Sequence, residues 1–301
     1  MANPTGEQFE LTRGNARAVV TEIGAGLRAF EIDGVPYVEP FEETDDPPKG
    51  AGQVLLPWPN RTKDARWTFH GQDQQFEVTE SARGNAIHGL VRHKEWQLLE
   101  HAESSITFEI DIGDEPGWPV PLNARIIYEL SPRELRITHQ VRNEGETAIG
   151  FGVGMHPYFR IGDTPTDELT LTLSTSRVRP FDDTNQLPYA DEQDVTGTQY
   201  DLRGGRKLSE LDLDSAFTDL PSSDDGKYHH WLTDGSTTLD VWTDLDFRWV
   251  QVFTPEELNG RGRAVAIEPM TCPADALNSG DDLITIDPAE SWQASWGIRV
   301  R

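Results

Sequence analysis

Apolar residues recur at alternate positions over most of the chain. Leu27-Arg28-Ala29-Phe30-Glu31-Ile32 alternates apolar with polar and stops at Asp33-Gly34, a pair that favours a two-residue hairpin turn. Trp67 to His70 and Phe76 to Val78 flank Gly71 to Gln75 in the same manner. Strands are expected at 96–99, 106–112, 124–130 and 135–141, the last two joined by the turn-forming Ser131-Pro132-Arg133-Glu134. More follow at 149–153, 169–173, 228–232, 238–242, 249–253, 264–267 and 293–300. No long stretch keeps a helical period. Strands at roughly 8–12-residue spacing predict an all-β antiparallel sandwich or barrel. Nothing in the composition marks a linker, so one domain over residues 1–301 is expected. Residues 41–53, 180–201 and 220–227 are loops by composition, and loops of that length are often functional or simply mobile.

Charge narrows the partners. Lys and Arg number 26 against 52 Asp and Glu, a net charge of −26 and a pI near 4.5. Such a surface repels phosphate backbones, which excludes nucleic-acid binding as the expected role. The acidity is spread along the chain and reads as solubility or adaptation to salt rather than an interaction tail. The single cysteine, Cys272, excludes an internal disulfide and a cysteine-rich metal site. The first seven residues show neither the basic nor the apolar part of a secretion signal, and no apolar run approaches the ~20 residues of a membrane helix. A cytoplasmic protein without a membrane partner is expected, as a monomer or a homodimer.

Four stretches carry candidate chemistry. Gly154-Met155-His156-Pro157-Tyr158-Phe159 closes an apolar strand with a histidine directly before a proline. Proline cannot donate to a ladder and restricts the residue before it, so pairing should end at Pro157 with His156 held at a strand end. Alone, such a histidine is best explained as a core residue. Ala264-Val265-Ala266-Ile267-Glu268-Pro269 repeats the device with a carboxylate. Its apolar surroundings would raise the pKa of Glu268 and favour a base role. Histidine can give a proton near neutral pH and a carboxylate can take one, so the pair supports proton shuttling without a cofactor. An acid and a base of this kind would act from opposite sides of a small polar substrate.

The other two stretches gain weight from that pair. Leu55-Leu56-Pro57-Trp58-Pro59-Asn60-Arg61 offers a flat tryptophan face of the kind sugar C–H surfaces stack on, and a guanidinium fork suited to vicinal hydroxyls or a carboxylate. Taken alone it is a proline-rich turn with a buried tryptophan. Ile87-His88-Gly89-Leu90 sets a histidine before a glycine, where backbone or ligand can approach closely. Asp214, in Asp214-Ser215-Ala216-Phe217, is a candidate acceptor for substrate hydroxyls, with Asp212 a near rival. No glycine-rich phosphate loop or His-Glu-x-x-His motif is present, and the adjacent His229 and His230 would face opposite sides of a strand.

In these residues the chain resembles the aldose 1-epimerase (galactose mutarotase) family. The resemblance rests on Pro59-Asn60-Arg61, Ile87-His88-Gly89-Leu90, His156-Pro157-Tyr158-Phe159, Asp214 with Phe217, and Glu268-Pro269 with Thr271 and Asn278 downstream. It spans nearly the whole chain, and the string from Leu56 to Arg61 is similar to a bacterial subgroup whose sugar need not be galactose. The resemblance implies a large twisted antiparallel β-sandwich with an open sugar cleft. It implies His156 as general acid on the ring oxygen, Glu268 as general base on the C1 hydroxyl, the two facing one cleft a sugar ring apart, and a substrate held by Arg61, His88 and Asp214, with no metal or organic cofactor. Asn60 and Trp58 are added to the expected substrate-binding set from the same string. Two other readings share the scaffold: a hexose-phosphate mutarotase drawing on Arg61, Arg66, Arg83, Arg92 and Lys94, and a non-catalytic carbohydrate-binding module. Glycoside hydrolysis would need two carboxylates flanking one bond, and a histidine–glutamate pair is not its usual form.

Overall fold

A computed structural model of the chain describes residues 3–113 and 115–301. Its largest element is a nine-stranded antiparallel sheet, in the order Gln97–His101, Ser105–Ile112, Leu122–Ser131, Glu134–Asn143, Ser291–Val300, Thr238–Thr243, Tyr228–Thr233, Thr170–Leu173 and Arg206–Lys207. Alternation explains its centre. In Leu122–Ser131, Leu122, Ala124, Ile126, Tyr128 and Leu130 are all buried on one face, while their neighbours are half-buried or exposed.

A second sheet runs Gln193–Asp194, Arg177–Arg179, Asp214–Thr218, Trp249–Phe253, Val265–Met270, Gly154–Met155 and Val54–Leu55, with Tyr158–Phe159 also paired to Val265–Met270. Val250, Val252 and Ile267 point to its inner face and share one continuous core with Ile126, Ile137 and Trp296 of the larger sheet. A meander of Gln8–Arg13, Ala16–Thr21, Leu27–Ile32 and Val35–Pro36 packs Leu11, Ala18 and Phe30 into the same core. The result is an all-β antiparallel sandwich. Its only α-helical segment among the described residues is the single turn Ala276–Ser279. Among the described residues no helix is long and apolar enough to cross a membrane.

Three local expectations are corrected. The strand after Trp67 pairs Arg66–Phe69 with Gln72–Gln75, not with Phe76–Val78. His70 and Gly71 both take positive φ (48° and 77°), so a two-residue primed turn closes the hairpin earlier than the apolar pattern indicates. Pairing does not stop for good at Pro157, since Tyr158–Phe159 rejoins the ladder. Nor does the strand of Glu268 end there: it continues through Pro269 to Met270, with Pro269 opposite Val250. The two prolines explain each other. On the side of Val265–Met270 that faces residues 154–159, bridges exist at Gly154–Met270 and Tyr158–Ala266, with a break between them. Pro157 and Pro269 both fall in that break, where their missing N–H groups remove no ladder bond.

Candidate active site

The ladder break positions the central pair. Moving two residues inward from each bridged pair, Gly154–Met270 and Tyr158–Ala266, brings His156 opposite Glu268. On the far side of Glu268 stands Gln251, and beyond it Ala216, so one row across the sheet reads His156, Glu268, Gln251, Ala216. Period two turns this row away from the core residues Val250, Val252 and Ile267. The backbone of His156 is pinned on its other side: its N–H donates to the Gln53 carbonyl at 3.1 Å, and its carbonyl accepts from Gly52 N–H at 2.8 Å.

A second wall comes from the short antiparallel pair Arg61–Thr62 and Ala86–Ile87, in which Arg61 lies opposite Ile87. Asn60 and His88 flank it, both at positive φ (57° and 64°), and they lock reciprocally. His88 N–H donates to the Asn60 carbonyl at 2.8 Å, and Asn60 N–H donates to His88 Nδ1 at 3.2 Å. A neutral ring that accepts at Nδ1 carries its proton on Nε2, which is therefore the donor His88 has left to offer. Gly89 makes the approach possible: a Cβ there would lie 2.1 Å from the Leu56 carbonyl oxygen.

These walls enclose a cleft of about 390 Å³ containing Asn60, Arg61, His88, His156, Asp214 and Glu268 among its lining residues. Six of the seven site residues expected from the sequence therefore meet in one place. Trp58 does not. It is 2% exposed and stacks on Phe76 at 4.2 Å between ring centroids, in an aromatic cluster with Trp67 and Trp118. The aromatic side chain that lines the cleft is instead Phe253, half-buried on the strand that carries Gln251. Of the two rival aspartates, Asp214 lines this cleft, whereas Asp212 is exposed and lines only a neighbouring hollow that Asp214 also borders.

Arg61 also departs from expectation. Its fork is engaged by Glu80, with Nε to Oε2 at 2.8 Å and Nη2 to Oε1 at 3.0 Å. Arg83 adds a third contact to Glu80 at 2.8 Å. Burial works to raise the Glu80 pKa, but the bonds from Arg61 and Arg83 outweigh it and hold the carboxyl below its ordinary range. Sequence reasoning missed Glu80, Gln251, Phe253 and the lining Lys49. Of the five basic residues considered for a phosphate, only Arg61 and Arg83 line this cleft, and Glu80 holds both. Arg92 and Lys94 border a separate hollow beside Trp58.

His156 Nε2 and Glu268 Oε1 are 3.4 Å apart, at 5% and 2% exposure. That is shorter than the width of a sugar ring, so the pair does not straddle a ring as expected. Side by side, it suits two oxygens bonded to one carbon. The distance is also too long for a strong hydrogen bond. His156 Nδ1 and Glu268 Oε2 have no hydrogen-bond partner, and each buried orphan costs about 1–3 kcal/mol. Burial pulls His156 down to about 4, helped by the nearby Arg92 and Arg61. Burial raises Glu268 well above its ordinary value, and Asp214 adds to the effect. Both shifts favour the uncharged form of the group concerned, imidazole for His156 and carboxyl for Glu268. Asp214 is raised by burial and accepts from Gln251 Nε2 at 2.6 Å. His88, buried and edge-on to His156 at 5.4 Å, is pushed well below the usual histidine range and stays neutral. Among the described residues no three His, Cys, Asp or Glu side chains are grouped to hold a metal ion.

Comparison with known proteins bears on the chain as a whole. Residues 7–299 match the family model described as aldose 1-epimerase. The chain is 30% identical to the uncharacterized protein YihR of Escherichia coli, over 98% of this chain and 93% of that protein. Among solved structures it superposes on a GalM/aldose epimerase homologue from C. elegans with a TM-score of 0.85, at 19% identity and 98% coverage of both chains. A galactose 1-epimerase from Lactobacillus acidophilus superposes with a TM-score of 0.80, at 18% identity, covering 96% of this chain and 92% of that one.

Proposed function

The chain belongs to the aldose 1-epimerase family, and on that premise we propose that it interconverts the α and β anomers of a free aldose by acid–base ring opening. The observation that carries the proposal is the cross-strand placement of His156 beside Glu268, both with a free valence, in a cleft lined by Arg61, His88, Asn60 and Asp214. Mutarotation needs one proton delivered to the ring oxygen and one taken from the C1 hydroxyl, and those two oxygens share a carbon. Glu268 takes the hydroxyl proton while His156 protonates the ring oxygen. The ring opens to the aldehyde, the C1–C2 bond turns, and reclosure with the roles reversed gives the other anomer.

The proton inventory balances. Burial favours the uncharged form of each group, so in this reading the pair shares one proton that rests on Glu268 and sits on His156 in the reactive form. Substrate hydroxyls donating to Glu268 favour its charged form, and the imidazolium then gains a carboxylate neighbour. No proton need enter or leave the protein. His88 donates from Nε2 and Arg61, braced by Glu80, from its remaining N–H groups, while Asp214 accepts. Each positioned proton-transfer group is worth about 10²–10⁴-fold, and fixing C1 against both adds to this.

Anomer exchange followed by NMR across a panel of aldoses tests the reading. Catalysis above buffer is expected with free sugars, with glucose faster than glucose 6-phosphate because Glu80 already occupies the cleft's two arginines. His156→Ala and Glu268→Gln should each remove most of it. Near wild-type rates in both variants would sink the assignment.

A further inference from the structure

The chain holds five lysines, and one of them, Lys49, lines the cleft of His156 and Glu268. Lys94 pairs with Glu115 and Lys227 with Asp244, while Lys63 and Lys207 are exposed and do not border the cleft. Lys49 makes no ion pair among the described residues. The arginines beside it in the lining, Arg61 and Arg83, are both held by Glu80. Lys49 is thus a primary amine in the cleft that no carboxylate ties down.

Its backbone is fixed. Gly50 N–H donates to the Pro47 carbonyl at 3.1 Å, Ala51 N–H to the Pro48 carbonyl at 3.0 Å, and Gln53 N–H to the Gly50 carbonyl at 3.1 Å. The bonds that follow, from Gly52 and to Gln53, are those that pin the backbone of His156. Lys49 itself takes φ 51° and ψ 34°, a left-handed setting that glycine or asparagine adopts with less strain. Gly50 brings this turn against the histidine, since a Cβ there would lie 3.7 Å from His156 Cδ2. The root of the Lys49 side chain is therefore held next to the group that protonates the ring oxygen, and a flexible four-carbon stem carries its amine.

Ring opening converts an unreactive hemiacetal into an aldehyde, the form of a sugar that condenses with an amine. We infer that Lys49 is a self-modification site, at which a fraction of opened sugars condenses with Nζ instead of reclosing. This rests on the mutarotase reading, whose intermediate is that aldehyde. The Lys49 ammonium gives one proton to solvent, and its nitrogen bonds to C1. The aldehyde oxygen leaves as water with the two hydrogens remaining on nitrogen, which forms the imine. Two hydrogens then shift, from C2 and its hydroxyl to C1 and nitrogen, so that C2 is oxidised as C1 is reduced and a stable ketoamine results. The attached sugar occupies the place of the next substrate, so each event retires one molecule.

The test incubates the protein with whichever of glucose, galactose and xylose exchanges fastest, and maps adducts by peptide mass spectrometry. Lys49 should be modified about tenfold faster than Lys63 and Lys207 or more, because it meets the aldehyde where it forms. His156→Ala should bring Lys49 down to their rate. Loss of exchange during the incubation should follow Lys49 occupancy, and Lys49→Arg, which offers no condensing amine, should hold whatever rate it starts with. If the sugar exchanges but the three lysines are modified alike, the inference is overturned and the mutarotase reading stands. A preference for Lys49 that survives in inactive His156→Ala also overturns it, since the aldehyde then comes from solution. Absence of exchange with every aldose removes both together.

Discussion

Two histidines in this chain sit against buried carboxylates, and they differ in what is left over. His229 Nδ1 contacts Asp240 at 2.7 Å and its Nε2 contacts Asp225 at 3.2 Å. Asp240, with no exposed surface, also accepts from Arg301 at 2.6 Å and has Arg299 at 3.9 Å. His156 and Glu268 are as deeply placed, yet their contact is loose and each retains a buried polar atom without a partner. A saturated pair spends its hydrogen-bonding capacity on the fold. An unsaturated one keeps it for a ligand, at a cost in stability. Burial of a histidine beside an acid is therefore no guide to chemistry; unfilled valences gathered on facing groups of one cleft are the better pointer.

The largest effect that can break this contrast is on rate. Glu268→Gln should lower kcat by about 10²–10⁴-fold with the melting temperature unchanged or raised, because an orphaned buried carboxyl is replaced by a neutral amide. Asp240→Ala should do the opposite: activity per folded molecule is kept, while urea unfolding shows a loss of about 3 kcal/mol, since His229 and Arg301 lose their shared acceptor. Loss of exchange in well-folded Asp240→Ala would erase the distinction.

The pH profile sharpens it next. The reactive pair needs one proton between two groups, so kcat/KM should be bell-shaped, with limits that belong to the pair. Below about 4, where His156 takes up a proton beside an already protonated Glu268, activity falls. It falls again as pH rises through the elevated Glu268 value and the last proton leaves. Glu268→Gln should abolish the alkaline limb in its residual rate. A profile flat across this range would contradict the shared proton.

Smaller effects separate positioning from packing. Glu80→Gln loosens the fork of Arg61 without touching substrate, so KM should rise about tenfold with kcat little changed. An equal fall in kcat would place Glu80 in the chemistry instead. Phe253→Leu should raise KM a few-fold with little change in stability, whereas Trp58→Phe should leave KM alone and lower stability by about 1–3 kcal/mol. Steady-state kinetics beside thermal melts decides both, and reversed outcomes would return the sugar face to Trp58.

Sequence made some of this legible and hid the rest for physical reasons. The strands of the nine-stranded sheet announce themselves because one face of each is buried, as in Leu122–Ser131. Gln72–Gln75 does not, having no buried residue to betray its period. His156 and Glu268 stood out because each precedes a proline after an apolar run. What the prolines do was hidden, since a shared ladder break exists only once two distant strands are paired. Trp58 looked like a ligand face because its apolar area is large, but area alone does not say which side is occupied. Phe253 and Gln251 follow from Glu268 once the register is known. Glu80 carries no signal at all: its value lies in reaching Arg61 across a loop, and a chain with 52 acidic residues gives no reason to single it out.

The close approach at Gly89 has one more consequence. With its Cβ position filled by the Leu56 carbonyl, Asn60 and His88 locked to each other, and the sheet zipped on both sides of the break, the walls that carry His88, His156 and Glu268 are tied to the sheet backbone. In the proposed cycle the part that must turn is the sugar, about its own C1–C2 bond, while the protein stays still. Turnover in such an enzyme is paced by arrival, torsion and departure of a small molecule, so stiffening the scaffold should leave speed intact, an uncommon freedom for anyone seeking a more heat-resistant form.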